Sequence, residues 1–69
     1  MTDTARLQEK IRGSGLKKGF IAERLGITYV GFRKKETGQN EFNVSEVATL
    51  KSLLNLSNKE VTEIFLQSK

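Results

Sequence analysis

Lys17, Lys18, Arg33 and Lys34 are the side chains of this sequence best suited to chemistry, and that chemistry is the binding of anions. The first two precede a short apolar-patterned stretch, and the other two lie inside the next one. Tyr29, Val30 and Thr37 are interleaved with the second pair. Ammonium and guanidinium groups donate to phosphate or to the O6 and N7 edge of guanine, a phenol donates to phosphate, and a valine can touch a thymine methyl. Catalysis has much less to work with. The chain has no histidine and no cysteine, which removes the usual general base, a disulfide and the common zinc ligand sets. Its Asp, Glu, Lys and Ser residues suggest no convergent set. No enzyme, metal, cofactor or small-molecule substrate is therefore expected.

The distribution of charge says more than the net value of +4. Residues 12–38 hold seven basic side chains (Arg12, Lys17, Lys18, Arg24, Arg33, Lys34, Lys35) against Glu23 and Glu36, a net of +5. Residues 39–69 hold three lysines against four glutamates, a net of −1, and the first eleven residues balance. A local basic excess of this kind suits a surface that meets an anionic partner. Sixty-nine residues allow one domain, 1–69, with a modest core. No apolar run approaches the ~20 residues of a membrane span and no signal peptide is visible, so a cytoplasmic location away from membranes is expected.

Five helices must position these side chains. The first is expected over residues 3–12, with Leu7 and Ile11 on its inner face, Asp3 or Thr4 as cap, and Gly13-Ser14-Gly15 as the turn that ends it. The second begins at Lys17 or Lys18 and ends at Leu25. Its start is poor, with no capping side chain, two lysines opposing the helix dipole, and Gly19 in the first turn. Ile21, Ala22 and Leu25 face inward, and Gly26 turns the chain. Phe20 lies to the side, either packed on the first helix or exposed as a protein contact. Thr28 caps the third helix, which runs from Tyr29 to about Thr37 and is ended by Gly38. With Phe32 inward, Val30, Arg33, Lys34 and Thr37 turn outward and Tyr29 sits at the exposed start. Gln39 and Asn40 follow in a polar loop and could donate to phosphate. Asn43 with Glu46, and Ser57 with Glu60, form capping boxes that open the fourth and fifth helices. Val47, Leu50, Leu54 and then Val61, Ile64, Phe65 are their inward faces. Leu66 lies beside the last of these, as a core residue or an exposed contact.

The order Ala22, Gly26, Ile27, Phe32 and Glu36-Thr37-Gly38 resembles the helix-turn-helix of phage repressors, Cro proteins and the wider Xre-type regulators. The resemblance implies an all-α, five-helix, lambda-repressor-like domain whose second and third helices form the motif. It implies binding to operator DNA, with base contacts at Tyr29, Val30 and Lys34, and a homodimer as one possible form. One position departs from the pattern. Lys35 stands where such motifs carry a second apolar anchor, so its stem is expected to cover the core edge while its ammonium reaches solvent. The third helix is then expected to be held less firmly. The chain also resembles the short modulators of repression encoded by temperate phages of lactic acid bacteria. Those act in the bacterial host by binding the phage repressor protein itself. The sequence thus leaves two functional expectations: a Cro-like DNA-binding regulator, and a modulator that uses the same surface on a protein. Both assign the contact to Lys17, Lys18, Thr28, Tyr29, Val30, Arg33, Lys34, Thr37, Gln39 and Asn40, with Phe20 and Leu66 as further protein contacts.

Overall fold

Capping side chains set four of the five helix starts in the computed structural model, which describes residues 1–66. Helix α1 (Thr4–Ser14) starts at Asp3, whose carboxylate accepts from the Arg6 N–H at 3.1 Å. It runs two residues further than the glycines suggest, because the left-handed residue that ends it is Gly15 (φ 75°), not Gly13. Helix α2 (Lys18–Leu25) has no side-chain cap at Lys17, as its sequence implies. Gly26 closes it in the left-handed region (φ 75°) that favours glycine, with its N–H turned back to the carbonyls of Ala22 and Glu23. Only Ile27 and Thr28 separate this turn from α3 (Tyr29–Glu36), where the Thr28 hydroxyl accepts from the Gly31 N–H at 3.0 Å. Both predicted capping boxes are present. Asn43 and Glu46 open α4 (Val44–Leu53), and Ser57 and Glu60 open α5 (Asn58–Phe65). Among the described residues the fold is therefore all-α with five helices and no strand.

The core is assembled from the predicted faces. Leu7, Ile11, Ile21, Ala22, Phe32, Leu50, Leu54, Leu56, Ile64 and Phe65 are buried, while Val47, Leu53 and Val61 are partly buried against them. Helix α2 packs on α3 and α4, α1 on α3 and α5, and α4 on α5. Phe42 joins the helices through its ring, 6.2 Å from Phe32 and 5.7 Å from Phe65, edge-on to the latter. The chain start is tied down too: the Asp3 N–H donates to the Ile64 carbonyl at 2.6 Å and buried Thr2 donates to Glu41 at 3.2 Å. Lys10 of α1 pairs with Glu60 of α5. That contact, and then the Ser57 backbone N–H, hold the Glu60 carboxyl below its ordinary pKa.

Lys35 corrects an expectation. Its ammonium does not reach for solvent but donates to both oxygens of Glu46, at 2.7 and 2.8 Å, and its side chain is only 19% exposed. Glu46 is buried because the capping box already turns it inward to accept from the Asn43 N–H at 3.0 Å. A carboxylate so placed needs a cation, and Lys35 supplies it. The end of α3 is thus clamped to the start of α4 by an ion pair in place of an apolar anchor.

Two stability predictions follow from this packing. Phe32→Ala and Leu50→Ala, both fully buried, are expected to cost ~2–5 kcal/mol each, read by thermal or denaturant unfolding. Lys35→Leu is expected to lower stability by on the order of 1–3 kcal/mol, because it strands the Glu46 charge at a buried position. Adding Glu46→Gln, which keeps the capping geometry without the charge, should restore part of that loss in the same melts.

Candidate functional site

Glu36 lies beneath the α2–α3 surface, between Lys18 of one helix and Arg33 of the other, although nothing in the sequence marked it as functional. It lies on the same side of α3 as Phe32, one turn later, and its side chain is fully buried. One carboxylate oxygen meets the Lys18 ammonium at 2.9 Å and the other meets Arg33 Nε at 3.0 Å. Neither oxygen accepts an aligned hydrogen bond, so charge more than hydrogen bonding holds the group. Moving a carboxylate out of water costs several kcal/mol. Two cations on opposite oxygens offset that cost, and they come from two different helices. The i, i+4 spacing of Phe32 and Glu36 was the available signal for this placement.

The cluster changes what the predicted contact residues do. Lys18, expected as a free cation at the start of α2, is turned onto Glu36 and is 35% exposed. Arg33 is 45% exposed and shares the same carboxylate. The neighbouring Tyr29 side chain, and then the Glu36 charge, push the Arg33 pKa above its ordinary value. Arg33 thus lies between Tyr29, one turn before it, and Glu36, one turn after, and is ion-paired to the latter.

Tyr29 (49% exposed), Val30 (63% exposed) and Lys34 face outward, as the helical period requires. Thr28 and Thr37 are exposed but their hydroxyls are occupied. Thr28 caps α3, and Thr37 donates to the Arg33 carbonyl at 2.8 Å. Lys17, Gln39 and Asn40 are exposed at the two ends of the region, and the N–H groups of Gln39 and Asn40 both turn back to the Lys34 carbonyl. Phe20 is 41% exposed, with the Arg24 guanidinium 5.9 Å from its ring centre. That answers the question the sequence left open: Phe20 is at the surface, under a cation.

Leu66 belongs elsewhere. It is exposed on the rim of an apolar hollow of ≈ 300 Å³ that also involves Phe42, Val44, Val47, Val61 and Phe65, with no residue from α2 or α3. Among the described residues no group of three acidic, histidine or cysteine side chains could hold a metal, and no helix is long and apolar enough to cross a membrane.

Comparison with protein-family models, with curated proteins and with solved structures gives no match to this chain. Its reading rests on the geometry above. One local prediction tests that geometry. Thr28→Ala is expected to cost ~1 kcal/mol of stability through loss of the α3 cap, read by thermal unfolding. Thr28→Ser, which keeps the hydroxyl, should hold the melting temperature near that of the parent chain.

Proposed function

We propose that this protein is a small helix-turn-helix regulator that binds another regulatory protein, a repressor of the phage type, through the face formed by α2 and α3. The observation that supports this most is the make-up of the face. Phe20, Tyr29 and Val30 are large, apolar or aromatic, and exposed. They share the two helices with Arg33, which is ion-paired to Glu36. Aromatic residues and arginine are the side chains in which protein interfaces concentrate their binding energy. The basic excess of the region, meanwhile, is smaller at the surface than in the sequence. Lys35 is spent on Glu46, while Lys18 and Arg33 share Glu36. Lys17 and Lys34 remain as exposed cations of α3 and the start of α2 with no ion pair among the described residues. A duplex presents a dense phosphate array, which rewards many free cations. The resemblance to phage repressors and to modulators of repression supplies the partner class.

A second reading, direct binding to an operator, is favoured by the start of α2. That helix end lacks a side-chain cap, and Lys17 stands beside it. A phosphate there would accept the free N–H groups and pair with the lysine.

The two readings part in an affinity series for Lys17→Ala, Phe20→Ala, Tyr29→Ala, Arg33→Ala and Lys34→Ala. Each variant is titrated with the purified repressor and with its operator, at low and moderate salt. The protein reading expects Tyr29→Ala and Arg33→Ala to weaken repressor binding by ~2 kcal/mol or more each. It expects the two lysine variants to change little. Operator reading would instead show in losses of ~1–3 kcal/mol at Arg33 and Lys34, and in affinity that falls steeply with salt. Enrichment of one sequence from random duplexes by the protein alone would overturn the protein reading.

A further inference from the structure

Glu36 is the one side chain among the described residues whose polar atoms are fully buried with no aligned hydrogen bond. Hydrogen bonding therefore does not account for a charge in that place. Packing does not require one either, since an apolar side chain of similar volume often serves as well or better at such a position. What the charge does act on is a pair of cations of the α2–α3 face. Lys18 of α2 lies 2.9 Å from one oxygen and Arg33 of α3 lies 3.0 Å from the other. Both cations are partly exposed, whereas Glu36 is out of reach of solvent and of any partner. Its negative charge is little screened by water or salt, and it lowers the positive potential of the face from beneath.

The neighbouring basic residue is opposed in the same way. Arg33, Lys34 and Lys35 form a basic run in α3, and Lys35 meets Glu46, buried too, at 2.7 Å. Carboxylates inside the fold thus oppose two of these three cations, and Lys34 alone has no ion pair among the described residues. Glu46 has a second duty in the α4 capping box, where it accepts from the Asn43 N–H. Glu36 has no such duty. A phosphate backbone is bound, whatever its sequence, by cations that displace its counterions. A carboxylate already seated against those cations works against that exchange.

We infer that Glu36 is a specificity-determining residue of the α2–α3 face: an internal counter-anion to Lys18 and Arg33 that keeps the face from binding nucleic acid through its phosphates alone. The inference rests on the protein-partner reading above, and adds to it the group that turns a competing polyanion away. An unfavourable element built against the wrong partner is a general source of specificity.

The test is the affinity of the parent chain and of Glu36→Gln for a duplex of random sequence, measured across a range of salt. Gln has nearly the shape of Glu without its charge, and Lys18 and Arg33 are exposed enough to turn to water. Glu36→Gln is expected to tighten duplex binding about tenfold at low salt and to steepen the slope of log affinity against log salt by ~1–2, about one for each cation released. Glu23→Gln is the control for net charge, because it removes one negative charge from the exposed surface of α2. It should move both readouts much less, and an equal gain would overturn the inference. Lys18→Ala and Arg33→Ala should cost little duplex affinity in the parent chain and most of the gain in the Glu36→Gln background. A carboxylate with a merely structural role would leave the salt slope unmoved, so a folded variant with the parent slope overturns the inference. Should Glu36→Gln fold poorly, Glu36→Leu, which buries an apolar group instead, is held to the same expectations. Repressor binding is followed in parallel. If the parent chain binds no repressor, the function proposed above fails, while the duplex series alone decides the part played by Glu36.

Discussion

The burial of one carboxylate, Glu36, is the constraint on which the α2–α3 surface depends. It is on the inner side of α3 and fully removed from solvent. A charge in that position is tolerable only with cations at contact distance. The two that serve are Lys18, at the first residue of α2, and Arg33, one turn back along α3. Moving α2 from its place would take away Lys18 and leave Glu36 with Arg33 of its own helix alone. The relative position of α2 and α3 is thus set by an electrostatic requirement as well as by the packing of Ile21, Ala22 and Phe32.

Lys35, next to Glu36 at the same end of α3, follows the same logic. Lys35 occupies an inward position and meets Glu46, which the α4 capping box has already turned toward the core. Ion pairs at Lys35 and Glu36 therefore fix the last turn of a helix of eight residues that has a glycine in its middle and only Phe32 as a buried apolar anchor. Partly buried pairs add little net stability compared with apolar side chains of the same size, but they penalise every arrangement that leaves a charge alone. In a chain with so modest a core, that penalty favours one register of α3 against both α2 and α4.

The same pairs reshape the outer surface. Cations drawn into internal contacts are fewer at the surface than the sequence suggests. What remains exposed on the face is a mixture: Phe20 beneath Arg24, Tyr29 beside Arg33, then Val30 and Lys34. Exposed aromatic and apolar side chains among fewer free cations make the composition of a protein interface more than of a phosphate-binding groove. The apolar hollow edged by Leu66 is a separate feature, built from α4, α5 and the chain start.

Local physics was legible from residue order alone. Caps at Asp3, Thr28, Asn43 and Ser57, the left-handed glycine at Gly26, and the i, i+4 apolar pairs all act within one or two turns. They therefore appear in the sequence as short-range patterns, and they suffice for five helices and most of the core. The end of α1 was less legible, because two glycines two residues apart compete to stop the helix and only packing selects Gly15. What the sequence by itself could not determine was where each charge ends up. Lys18 with Glu36, and Lys35 with Glu46, are pairings across eighteen and eleven residues. No periodicity links such partners. They meet only after the helices have docked, and a lysine looks the same in the sequence whether it will face solvent or a buried carboxylate. The tertiary structure alone decided which cations stayed free, because the cost of burying a charge is settled by its neighbours in space.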